Sequence, residues 1–137
     1  MTSSRLHELL IILENHEGVI KKAHYSSFGI SGESNFYSLN LLGTYSGDAG
    51  DSLSYHAGRK FTTFDMDNDG WQEGNCARSH LGAFWYDSCD HANLNGKYLG
   101  GEVQVAEQRF QGMYWNDFGG PMYALKSVKM MIRPIES

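Results

Sequence analysis

The chain has 137 residues, 41% of them apolar and 20% charged, which admits one domain with a real core and excludes a disordered polypeptide. The formal net charge is -5 and no Lys/Arg cluster is visible, which argues against nucleic acid as a partner. No apolar run approaches the ~20 residues that span a bilayer, so no membrane partner is expected.

In chain order, residues 7–13 are apolar and then acidic, bounded by Asn15 and Gly18. A short helix and a buried strand both satisfy this pattern. The run Leu9-Leu10-Ile11-Ile12-Leu13 lacks the charged start and small-residue cleavage site of a secretory leader. Val19 to Ile30 mixes β-branched and aromatic residues and predicts a strand, with Ser31–Asn35 as the turn after it. Phe36, Tyr37, Leu39, Leu41 and Leu42 predict the next strand, and three such segments suggest an antiparallel meander. Gly43–Ser52 is a small-residue loop unsuited to regular strands. A short helix through Leu53 and Tyr55 follows, capped by Asp51 or Ser52. Phe61–Phe64 alternates as a strand. From Gly70 to Gly120 only Cys76-Ala77-Arg78 suggests a helical turn. Tyr123 to Ile132 alternates as a closing strand that Pro134 ends. The expected parts are therefore a sheet region over about 1–64, a loop-rich region over 65–120 and a closing strand over 121–137.

The loop-rich region carries the chemistry. Asp65-x-Asp67-x-Asp69-Gly70 copies the opening of an EF-hand loop, but Cys76 stands where the bidentate Glu belongs. Phe61–Phe64 before it favours a strand over an entering helix, so an EF-hand is rejected. Closely spaced carboxylates before a glycine-rich segment still suit a hard cation such as calcium. The other account is a solvated acidic turn whose Asp and Asn side chains cap local backbone. Cys76 and Cys89 allow one disulfide, with about 3 kcal/mol from loop closure, or a pair of buried thiols. Their spacing fits no zinc pattern. Cys89 and His91, two apart on an extended chain, make a poor nucleophile and base.

Taken together, these pieces resemble the fibrinogen C-terminal (fibrinogen-related) domain of fibrinogen chains, ficolins and tachylectins. The matching stretches are Tyr45–Leu53, Phe61–Asp69, Gly74–Ala77, Ala83–Tyr86, Cys89, Asn93–Tyr98, Gly112–Trp115, Tyr123–Lys126 and Met131–Pro134. The resemblance covers nearly the whole chain. It implies an α+β fold: an antiparallel sheet with short helices, plus a loop-rich subdomain organised by calcium and a disulfide. The family's N-terminal subdomain is missing, so the chain reads as a truncated domain. The resemblance also implies secretion and favours a Cys76–Cys89 bond. Calcium is then expected on Asp67 and Asp69, with the backbone oxygens of Trp71 and Glu73, and Asp65 is demoted to a flanking role.

The family's ligand pocket lies beside that loop and the disulfide, shaped by a non-proline cis peptide that would be Ser88–Cys89 here. The pocket positions depart from the acetyl-binding pattern: His80 replaces a Tyr, Asp90 replaces a His that His91 follows by one, and Arg109 and Phe110 occupy the later aromatic segment. Tyr114 completes the expected pocket set. Trp85, Tyr86 and Trp115 could add walls or simply pack the core. Arg109 suggests a ligand with an acidic group, such as a muropeptide or sialic acid. The implied function is calcium-dependent recognition of microbial N-acetylated carbohydrate or peptidoglycan, as in an innate-immune lectin. The alternative is a fibrinogen-like interaction domain that binds a peptide terminus or receptor. An enzyme is not expected, since calcium held by carbonyls is a weak Lewis acid and no separate carboxylate pair stands by. Relatives oligomerise through segments outside a domain of this kind, so any oligomer is expected to form there.

Overall fold

The computed structural model describes residues 6–103 and 110–135. The apolar run of residues 7–13 forms a strand, β1 (His7–Glu14), because its burial alternates along the sequence. Leu9, Ile11 and Leu13 are fully buried, whereas Glu8, Leu10, Ile12 and Glu14 are half-exposed on the other face. That period of two is what a pleated strand with one covered face requires. β2 (Ile20–Ile30) pairs antiparallel with β1, and β3 (Leu39–Leu42) pairs with the far end of β2. The expected meander is therefore present. β7 (Ser127–Pro134) lies on the other side of β1, so the strand order is β3-β2-β1-β7.

Several expectations are corrected. The segment from Phe36 is not strand at its start: Phe36 and Tyr37 both have positive φ, and pairing begins only at Leu39. The small-residue loop holds a strand, β4 (Tyr45–Gly47), on β2. Gly47 makes this approach available, because a Cβ there would collide with the Lys22 carbonyl oxygen. The helix expected at Leu53 is a single 3-10 turn, Ser54–His56, whose Ser54 N–H is taken by Asp51 Oδ1 at 3.1 Å. Phe61–Phe64 contributes only isolated bridges, Thr62 to Phe84 and Thr63 to Met66. The predicted closing strand is two strands in two sheets. β6 (Tyr123–Ala124) pairs with β5 (Gly101–Glu102), and β7 begins only after Lys126. Pro134 ends β7 and is its last residue.

One core joins both regions. Leu9, Ile11, Leu13, Tyr25 and Leu39 from the sheet meet Leu53, Phe84, Tyr86, Trp115 and Leu125. Burying each aliphatic side chain contributes about 1.5–3 kcal/mol. The Trp115 indole N–H donates to the Gly50 carbonyl at 2.8 Å, and the Asp117 N–H donates to Ser52 Oγ at 3.0 Å. Those bonds fix the loop-rich region against the end of the sheet.

Candidate binding site

In the loop-rich region side chains supplement scattered backbone bonds and isolated bridges. The Asp69 carboxylate accepts the N–H groups of Trp71 at 2.9 Å and Cys76 at 2.7 Å. The Asn75 side chain accepts the Arg78 N–H and caps α1 (Cys76–His80). Cys76 and Cys89 are disulfide-bonded, and the Ser88–Cys89 peptide is cis. The disulfide ties the start of α1 to the Ser88–His91 segment, and a cavity opens between them.

The cavity is about 520 Å³, lined among others by Tyr55, Trp71, His80, Asp90, His91 and Phe110. Two aromatic–imidazole stacks wall it. His91 lies on Tyr55 with ring centroids 4.0 Å apart, and His80 lies on Phe110 at 5.1 Å. Beneath them the Asp90 side chain is fully buried and accepts from His80 Nδ1 at 2.9 Å and from the Tyr114 hydroxyl. A carboxylate only accepts, so a His80 proton sits on Nδ1, and Nε2 is the ring's second polar atom. Burial, reinforced by Asp90, pushes the Tyr114 hydroxyl well above the usual phenol range, which keeps it a donor. No lysine or arginine is among the described lining residues.

Two buried residues that sequence reasoning missed hold this arrangement. His56 is fully buried: its Nδ1 faces the Trp85 carbonyl at 2.8 Å, and its Nε2 accepts the His91 N–H at 3.2 Å. A carbonyl cannot donate, so the ring is neutral with its proton on Nδ1, and burial holds its pKa down to about 4. Asn93 is also fully buried. Its Nδ2 donates to the carbonyls of His80 at 2.9 Å and Phe110 at 3.0 Å, and its Oδ1 accepts from the Tyr86 hydroxyl at 2.6 Å. A buried single histidine and one Asn in a polar run carry no spacing signal.

The expected pocket set is thus partly assembled. His80, Asp90, His91 and Phe110 line the cavity. Tyr114 does not: it is buried and acts from behind, through Asp90. Arg109 lies outside the described residues, and the expected acidic ligand group rested on it. Trp71, expected to give a backbone carbonyl to calcium, is also among the residues lining the cavity. Trp85, Tyr86 and Trp115 are buried in the core.

The donor set of the aspartate loop bears on calcium. Asp67 Oδ1 accepts the Asp69 N–H at 3.2 Å. Partial burial raises the Asp69 pKa, and the adjacent Asp67 carboxyl adds to the rise against the two N–H donors. Two carboxylates pressed together with no cationic side chain between them fit a hard divalent cation. Among the described residues no group of three or more His, Cys, Asp or Glu side chains could hold a metal ion.

Against known proteins, the family model of fibrinogen beta and gamma chains, C-terminal globular domain, matches residues 1–135. The chain is 48% identical over 134 residues to Angiopoietin-related protein 6 of Mus musculus, covering 97% of this chain and 28% of that one. It is 39% identical over 136 residues to Techylectin-5A of Tachypleus tridentatus, covering 99% and 45%. The fibrinogen-like globe domain of human ANGPTL6 superposes with a TM-score of 0.92 at 44% identity, over 99% of this chain and 60% of that chain. Lamprey fibrin D-dimer complexed with the peptide ligand Gly-His-Arg-Pro-amide does so with a TM-score of 0.86 at 28% identity, over 99% and 49%. The chain spans between about a quarter and a half of the length of these curated relatives. With the match running almost end to end, this protein belongs to the family of C-terminal globular domains found in the fibrinogen beta and gamma chains.

Proposed function

We propose that the chain is an extracellular, non-enzymatic recognition module whose cavity takes the amine-bearing end of a peptide or protein. The carrying observation is the fully buried Asp90 carboxylate beneath the cavity, which orients the His80 ring and places negative charge behind the cavity wall. With no described lysine or arginine in the lining, an ammonium or guanidinium group is the complementary partner. Two supports come from the relatives: identity is higher to Angiopoietin-related protein 6 than to Techylectin-5A, and the lamprey fibrin relative holds a peptide with a free amine and an arginine. Asp67 and Asp69 would hold calcium, with the Trp71 and Glu73 carbonyl oxygens. The ion would neutralise the paired carboxylates and order the loop that carries Trp71. The disulfide agrees with an oxidising, extracellular setting.

The test is binding of Gly-His-Arg-Pro-amide by isothermal titration, with its N-acetylated form as control. Binding that disappears on acetylation, weakens in His80→Ala and survives excess N-acetylglucosamine is the expected result. A second reading, a lectin for microbial N-acetylated sugars or muropeptides, draws on the similarity to Techylectin-5A. Competition by free N-acetylglucosamine or muropeptide, with no binding of the free-amine peptide, would establish it instead.

A further inference from the structure

A second cavity, of about 720 Å³, shares no lining residue with the one above Asp90. The sheet side contributes Ile30 at the end of β2, then Phe36 and Tyr37 after the 3-10 turn Glu33–Asn35. The loop-rich region contributes Phe61, Met66 and Trp85. The Trp85 ring packs edge-on against Phe28 of the core at 6.1 Å and against Phe61 at 5.6 Å. The cavity is therefore set into the junction of the two regions, between residues that already pack on each other.

Phe36 and Tyr37 both lie in the left-handed backbone region, at φ +56 and +54. Bulky residues seldom adopt that conformation, and it persists only where the surroundings impose it. Here the Phe61 N–H donates to the Phe36 carbonyl at 2.9 Å, and the Trp85 indole N–H donates to the Tyr37 carbonyl at 2.8 Å. Two residues of the loop-rich region thus hold two aromatic residues at the cavity, where they remain 39% and 46% exposed. A turn alone would be served by glycine or asparagine at lower cost.

The donors around this cavity are largely engaged within the protein. The Thr63 hydroxyl donates to Asp65 at 2.6 Å, the Asn68 amide to the Phe61 carbonyl at 3.0 Å, and the Tyr37 hydroxyl to Glu33 Oε2 at 3.4 Å. What remains to be met is acceptors, and Glu33 is the only charged side chain among the described lining residues. A cation is complementary both to that carboxylate and to the negative faces of aromatic rings. One ring of the set already meets an ammonium, since Lys60 Nζ lies 4.8 Å from the Phe36 ring centroid. The size and the apolar lining match small-molecule sites, which run to about 300–1,000 Å³.

We propose that this cavity binds a small arylalkylamine, a free molecule with one aromatic ring and a primary ammonium group. The ring would lie among Phe36, Tyr37, Phe61 and Trp85, with the ammonium at Glu33. This site is separate from the cavity above Asp90 and does not depend on what that cavity binds.

The test uses the intact protein with phenylbutylamine, phenylbutanol and phenylbutyrate as probes. Isothermal titration gives the affinities, and the Trp85 indole resonance in proton–nitrogen correlation spectra gives the location. The amine is expected to bind saturably, to shift that resonance, and to do so under excess Gly-His-Arg-Pro-amide. It should bind about fivefold more tightly than the alcohol, and the carboxylate more weakly than either. Glu33→Gln, at an exposed side chain, should reduce the amine to the affinity of the alcohol. Phe36→Gly removes a ring and relieves the left-handed backbone, so it should fold and lose all three probes. The proposal is overturned if the amine does not bind, if it leaves the Trp85 resonance unmoved, or if the peptide displaces it. A carboxylate bound as tightly as the amine, or an affinity unchanged in Glu33→Gln or in a folded Phe36→Gly, overturns it as well. The ranking of the three probes on the unsubstituted protein decides the matter if Phe36→Gly fails to fold.

Discussion

The sheet and the loop-rich region belong to one polypeptide but are held by different bonds. In the sheet, β1 is flanked by β2 and β7 through backbone ladders, the first interrupted by a register shift between His7 and Leu9, and side chains alternate between a covered and a solvated face. Between Phe61 and Pro121, scattered backbone bonds and isolated bridges are joined by bonds from side chains to the main chain: Asp69, Asn75, Asn93, Asn95 and Trp115 each reach a backbone group, and His56 reaches into the same region from its 3-10 turn. A ladder uses groups that every residue owns, so its stability is spread over many positions. A side-chain clasp depends on one residue that carries the right polar atoms at one position. The cost of substitution should therefore be concentrated in the region that forms the cavity.

The largest expected effect is at Asn93. Asn93→Ala leaves the Tyr86 hydroxyl and the carbonyls of His80 and Phe110 without their partner, at a cost of about 3–5 kcal/mol by chemical denaturation. A loss under about 1 kcal/mol, the size of an ordinary substitution, would break the contrast between clasp and ladder.

Acid should act next, through His56. Its folded pKa of about 4 lies below the ordinary value of 6.5, so the unfolded chain binds a proton that the folded chain refuses. Stability is complete above pH 6.5 and falls as the pH drops toward 4, by about 3 kcal/mol from this group. Denaturation midpoints measured across that window should decline, and His56→Gln, which keeps a donor and an acceptor, should flatten the decline.

Calcium follows. At a free concentration about 100-fold above its dissociation constant it should stabilise the fold by about 2.7 kcal/mol, read as a calorimetric shift that Asp69→Asn abolishes. An unchanged melting temperature in excess calcium would remove the ion from the account of Asp67 and Asp69. The smallest effect belongs to the sheet's open face: Lys22→Gln, exposed on β2, should stay within about 0.5 kcal/mol.

The same contrast explains what was legible beforehand. Alternation in residues 123–132 marked sheet, because a ladder with one covered face imposes a period of two, whereas the continuous apolar run of residues 9–13 left helix and strand both open. The break at Leu125–Lys126 was not visible, since β6 and β7 both alternate and only tertiary pairing assigns them to different sheets. Gly47 hid β4, because its glycine reads as loop while the close approach to Lys22 is what demands it. In the site, residue types with distinctive chemistry stood out: the aspartate run, the two cysteines, and His80, Asp90, His91 and Phe110. The buried clasps did not, because His56 and Asn93 act through main-chain atoms that carry no sequence identity.

One further consequence comes from β7 lying beside β1. The first described strand reaches its second neighbour only when the last described strand arrives, with the whole loop-rich region between them. Such distant pairing makes folding slow relative to proteins with local contacts. During synthesis β1 must wait beside β2 with Leu9, Ile11 and Leu13 incompletely covered until Ser127–Pro134 leaves the ribosome. A nascent polypeptide paused before Ser127 should therefore be the form most prone to aggregate and most dependent on chaperones.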